Sequence, residues 1–149
     1  MQITATALSA ILTLATSTHA LSHQAVLNIC NETLYLTYIN SNKPTAGPFP
    51  LLAFANTELP ITGVGNSLGV SKSDQYWSPQ TPKLILGTST DNGILYWSVS
   101  YVDGDPFAGQ KVAVTSAGRV ADVCQNSTGY DGKVHACQDD GAVLSLGLC

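Results

Sequence analysis

From Gly93 to Val102 the side chains alternate. Leu95, Trp97, Val99 and Tyr101 fall on one side, and Ile94, Tyr96, Ser98 and Ser100 on the other. A period of two is the signature of a strand that buries one face. The same habit recurs in AVLNIC (25–30), TLYLTYI (33–39), KLILG (83–87), QKVAVTS (110–116) and AVLSLGL (142–148). No segment after residue 20 holds a 3.6-residue period for ten residues, so helix is expected to be scarce. Strands punctuated this often by Gly and Pro build sandwiches or barrels. Asn92-Gly93 is a hairpin signal between two of these strands. In the Gly93–Val102 strand the Leu95 side is the more continuously apolar and is expected to face the core. Tyr96 and Ser98 then face outwards, a mixture of ring and hydroxyl suited to a binding strip.

Residues 41–82 hold six of the seven prolines and are less regular, and NKPTAGPFPLLAFANTELP (42–60) reads as loop, one strand, loop. Within them GVGNSLG (63–69) fits neither nucleotide-binding fingerprint and reads as a turn.

The first charged side chain is Glu32, and an apolar stretch from Leu8 to Ala15 precedes small residues ending at Ala20. This pattern predicts a signal peptide over 1–20 and a single domain over 21–149, secreted to the extracellular space or cell wall. The apolar stretch is too short to span a bilayer. With 11% charged residues and a net charge of −4, the chain has no electrostatic footprint for nucleic acid or an anionic membrane. Cys30, Cys124, Cys137 and Cys149 read as two disulfides in an oxidising compartment, with three connectivities open.

Asp103 and Asp105 flank Gly104 in a knot of turn formers. A glycosidase needs two carboxyls across a bond, but Asp in turns commonly accepts backbone N–H groups instead, and the turn reading is preferred. Cleavage after Ser22 would make His23 the first residue; its amine and ring, with His135, would supply nitrogen ligands for copper. That coincidence is too small to carry a metal site, and no cofactor is expected. No nucleophile elbow or triad spacing is present. Asn31-Glu32-Thr33 and Asn126-Ser127-Thr128 are N-glycosylation sequons.

Three stretches carry a family likeness. VLNICNETLYLTYI, YWSVSYVDGDPFAGQKVAV and AVLSLGLC resemble the opening strands, the GDPFAG block and the closing strand of the small fungal thaumatin-like proteins of the Blastomyces yeast-phase-specific family. The resemblance implies a thaumatin-like antiparallel β-sandwich, with Cys30 bonded to Cys149 and Cys124 to Cys137. It aligns Asp103 with one acid of the thaumatin-like cleft, and places Ser98 and Leu86 where other acids are expected. The implied function is a secreted monomer without enzymatic activity, a surface antigen or candidate effector that binds cell-wall glycan or a host surface protein. Tyr96, Ser98, Asp103 and Asp105 are the candidate contacts. The alternative is a weak β-1,3-glucanase using Asp103 and Asp105; a copper oxygenase through His23 is more distant.

Overall fold

Alternating strands with one apolar face bury it by stacking face to face, and the computed structural model shows two sheets doing so. It describes residues 21–117, 129–138 and 140–149. The ten strands are β1 (His23–Asn28), β2 (Leu34–Asn40), β3 (Lys43–Leu51), β4 (Asn56–Pro60), β5 (Asn66–Ser71), β6 (Lys83–Asp91), β7 (Ile94–Val102), β8 (Val112–Ala117), β9 (His135–Cys137) and β10 (Val143–Leu148). One sheet has the order β4-β1-β10-β8 and the other β3-β2-β5-β6-β7-β9. Among the described residues no helix is long and apolar enough to cross a membrane.

The core lies between the sheets. Val26, Leu144, Leu146 and Leu148 meet Leu36, Leu68, Leu84, Leu86, Leu95 and Trp97 there, all buried. The β7 faces are as expected: Leu95, Trp97 and Val99 are buried, and Tyr96 and Ser100 are exposed. Tyr101, expected in the core, is only half-buried at the rim. The Asn92-Gly93 turn joins β6 to β7 with φ of 48° and 78°, the paired positive angles of a type I′ hairpin. Trp97 is covered from the edge by His135 of β9, whose ring stacks on it at 4.2 Å.

Every pair of neighbouring strands is antiparallel except one. β1 and β10 run parallel, from His23 beside Val143 to Asn28 beside Leu148. No short turn connects them, so nothing forces the antiparallel arrangement. Because they run the same way, their C-terminal ends coincide, and Cys30 bonds Cys149 across a Cα separation of 5.0 Å. Closing a loop of 119 residues stabilises the fold by about 4–5 kcal/mol in the chain-entropy model. Cys137 is not free; Cys124 and the sequon at Asn126 lie outside the described residues.

Residues 42–60 correct the expectation of a single strand, since they contain β3 and β4. β3 carries Pro44, Pro48 and Pro50 and is tolerated because it is an edge, where a missing N–H costs no ladder bond. β5, inside the supposed GVGNSLG turn, is a central strand between β2 and β6. Its outward positions are small because another side chain lies over them: a Cβ on Gly69 would fall on the Tyr76 ring, 2.5 Å from Cζ.

The face assignment of β7 gives a direct expectation. Trp97→Ala removes a buried ring and should cost about 3–5 kcal/mol, while Ser98→Ala should cost well under about 1 kcal/mol. Urea melts of the two variants measure the difference; equal stabilities would contradict this register.

Candidate functional site

The acidic turn after β7 is built around a buried cation. Asp103 has φ of 58° and is followed by Gly104 at 111°, a left-handed step that Asp tolerates better than most residues. The step turns its carboxylate towards Lys83, whose ammonium lies 2.5 Å from Oδ2. The Lys83 side chain is only 7% exposed. Besides the carboxylate, it donates to the carbonyls of Thr81 (2.7 Å) and Ser78 (3.1 Å). All three N–H donors are therefore used, as a buried charge requires. Asp105 does a different job: its Oδ1 accepts the Phe107 N–H at 2.8 Å. That bond closes a turn which drives the Phe107 ring into the core, where it is 1% exposed. Lys72 supports the same block from outside, reaching the Gln110 side chain and Glu32, both at 2.7 Å, and lying over the Phe107 ring. Tyr101, next to the turn, has its hydroxyl pKa raised above the ordinary 10.0 by burial and by the Asp105 charge.

The segment between β5 and β6 lies across the outer face of the six-stranded sheet. Tyr76 fits over Gly69 and is 4% exposed; burial raises its hydroxyl pKa above 10.0. Trp77 meets it edge-on at 5.0 Å and 87° and is 67% exposed. Tyr76, Trp77, Lys83, Ile85, Val102 and Asp103 line a cleft of about 250 Å³. An open indole beside a carboxylate suits a ligand with apolar C–H faces and hydroxyl groups, because the ring stacks and the acid accepts.

The sequence-predicted contacts are not all gathered there. Asp103 lines the Trp77 cleft, whereas Asp105 borders a neighbouring cleft with Lys72, Ser73, Gln80 and Pro82. Tyr96 and Ser98 line a third, of about 260 Å³, with Asn66, Gly87 and Ser89. Tyr96 is roughly 20 Å from Asp103 at ~3.3 Å rise per residue along β7. His23 lies in β1 and His135 in β9, in different sheets. The His23 N–H donates to the Ala142 carbonyl, and His135 is held by Asp131 at 2.9 Å. The two do not form a common ligand set, and among the described residues no cluster of His, Cys, Asp or Glu suits a metal ion. Sequence reasoning missed Trp77 and Lys83. Trp77 sits in SDQYWSPQ, where a large ring amid polar and proline residues, outside any alternating run, was the available signal.

The ion pair predicts a non-additive pair of substitutions. Asp103→Asn should cost about 1.5–3 kcal/mol, the range for hydrogen bonds to charged groups. Lys83→Met in the same background should cost less than it does alone, because no carboxylate is then left behind. Combined urea melts should show coupling of about 1 kcal/mol or more; additivity would mean that Asp103 is not the counter-ion.

Comparison with known proteins follows this geometry. Two solved structures share the fold. The protein elicitor MoHrip2 from Magnaporthe oryzae superposes with a TM-score of 0.67 at 20% identity, over 86% of this chain and 98% of its own. The thaumatin-like xylanase inhibitor TLXI superposes with a TM-score of 0.55 at 12% identity, over 85% and 98% respectively. The fold is thus the thaumatin-like β-sandwich that the sequence resemblance implied. No curated protein matches the sequence. The model of one family matches residues 11–149, nearly the full length, and the chain belongs to that family, Bys1, the Blastomyces yeast-phase-specific proteins.

Proposed function

We propose that this protein is secreted, acts at a cell surface or wall without enzymatic activity, and binds glycan in the cleft beside Asp103. The observation that carries the reading is Trp77, two-thirds exposed yet fixed edge-on against a buried tyrosine. A rigid, solvent-facing indole costs little ordering entropy when a sugar stacks on it. Asp103 is half of the recognition: Oδ2 is committed to Lys83, and Oδ1 remains to accept a hydroxyl.

The same pairing argues against hydrolysis. A glycosidase requires two carboxyls facing one bond, and among the described residues Asp103 is the sole carboxylate lining this cleft. Asp105 borders a different one and is engaged with the Phe107 N–H. The structural neighbours support this reading, since one is described as an elicitor and the other as a xylanase inhibitor.

Laminarin, xylan and chitin oligomers titrated against the protein, followed by tryptophan fluorescence, test the proposal. The chain has two tryptophans, and Trp97 is buried but lines the Tyr96 cleft, so a fluorescence change is assigned to Trp77 by its loss in Trp77→Ala. Read by calorimetry, since the variant lacks the reporting indole, Trp77→Ala should weaken binding about tenfold, or ~1.4 kcal/mol, with no loss of thermal stability. Unchanged affinity in that variant would overturn the assignment. Sugar release from laminarin that Asp103→Asn abolishes would replace it with the glucanase reading.

A further inference from the structure

Of the exposed large apolar side chains, four lie at one end of the sandwich: Leu27 (39%) near the end of β1, Ile29 (58%) just after it, and Leu52 (64%) and Phe54 (74%) between β3 and β4. Asn28 ties these segments together. Its amide donates to the carbonyls of Glu32, Leu51 and Leu52 at 2.9–3.0 Å, and its own N–H donates to the Ala55 carbonyl. The segment that carries Ile29 continues into Asn31-Glu32-Thr33, and Asn31 is exposed in an irregular stretch between β1 and β2. Glu32, the middle residue of that sequon, is held by Asn28 through its carbonyl and by Lys72 through its carboxylate, at 2.7 Å. A sequon needs an accessible turn and a middle residue other than proline, and both conditions are met.

We propose that Asn31 carries an N-linked glycan and that the first sugars of this glycan cover the apolar rim formed by Leu27, Ile29, Leu52 and Phe54. In the transfer, Nδ2 of Asn31 forms a bond to C1 of the first sugar of a lipid-pyrophosphate-linked oligosaccharide. The C1–O bond to the pyrophosphate breaks, the leaving phosphate keeps the electron pair, and the amide gives up one proton to base. The neighbouring disulfide does not close the site first. Cys149 lies 119 residues after Cys30, which at ~5–20 residues per second is roughly 6–24 s of synthesis. β10, the parallel partner of β1, is equally late. The segment around Asn31 thus emerges long before the partners that fold it. The rim gains from the modification because contiguous exposed apolar surface promotes association, and a glycan rooted beside Ile29 covers it with a hydrated chain.

The proposal rests on the secretory reading of residues 1–20 and is independent of glycan binding at Trp77. The full chain, secreted from a yeast under its own leader, would be compared with Asn31→Gln, Thr33→Ala and Asn126→Gln. Peptide mass spectrometry after endoglycosidase treatment should find a residual sugar on the Asn31 peptide of the wild type and of Asn126→Gln. Both sequon-breaking variants should lack it. Enzymatic deglycosylation of the folded wild type should raise binding of an apolar fluorescent dye at least twofold, and substitution of Phe54 by Ser should reverse that rise. A chain with unmodified Asn31, or one retained in the cell without the sugar, overturns the site. Dye binding unaffected by deglycosylation overturns the covering of the rim, while laminarin titration of the same samples reports separately on the Trp77 cleft.

Discussion

The four-stranded sheet contains no pair of strands adjacent in sequence. β1 lies between β4 and β10, and β8 completes the far edge. Each ladder in it therefore closes a long loop before it gains hydrogen bonds, which makes such a sheet slow to assemble. In the six-stranded sheet, by contrast, β2–β3, β5–β6 and β6–β7 are successive antiparallel pairs. The parallel β1–β10 ladder is the contact that commits the chain: without it the β8–β10 pair is cut off from β1 and β4. The Cys30–Cys149 bond sits at the coincident ends of that ladder, and the Ile29 and Cys149 N–H groups extend the hydrogen bonding past it to Leu148 and Lys111. The staple is placed where entropy opposes pairing most.

A second constraint is local and electrostatic. Lys83 opens β6 and is buried, so its ammonium must find partners inside the protein. The Ser78 and Thr81 carbonyls come from the segment that carries Tyr76 and Trp77, and the carboxylate comes from the turn after β7. One cation thereby fixes the aromatic segment to the acidic turn and sets the walls of the cleft. Asp103 is in this sense structural, the counter-ion that holds Lys83 in place.

Much of this architecture was legible in the residues, and the exceptions share a cause. β2, β6, β7, β8 and β10 bury one face against the other sheet and so display the alternation that sequence reading detects. β3 and β4 are edges with mostly exposed or half-exposed residues, where no apolar pattern is demanded. β5 is central yet resembles a turn, because Ser67 and Gly69 are selected by what lies over the sheet. The GDPFAG block stood out in the sequence, and its reading as a turn in which Asp accepts backbone N–H groups agrees with Asp105. Asp105 and Phe107 proved to form a turn and its anchor, and the partner of Asp103 was a lysine twenty residues earlier that reads as an ordinary exposed strand opener.

The separation of Asp103 from Tyr96 bears on what the outer sheet face can do. Between them the outward positions of β6 and β7 are Ile85, Gly87, Ser98, Ser100 and Val102, small residues apart from Ile85 and Val102. A smooth strand face with a ring near each end, Tyr96 at one and Trp77 at the other, presents little relief to an irregular protein surface. Under the proposed glycan-binding role, an extended chain would be favoured over a compact one, since it would reach both rings without a deep pocket. Affinity for a polymer would then exceed affinity for its short oligomers, because two weak stacking contacts on one chain act together through effective concentration rather than through any added contact.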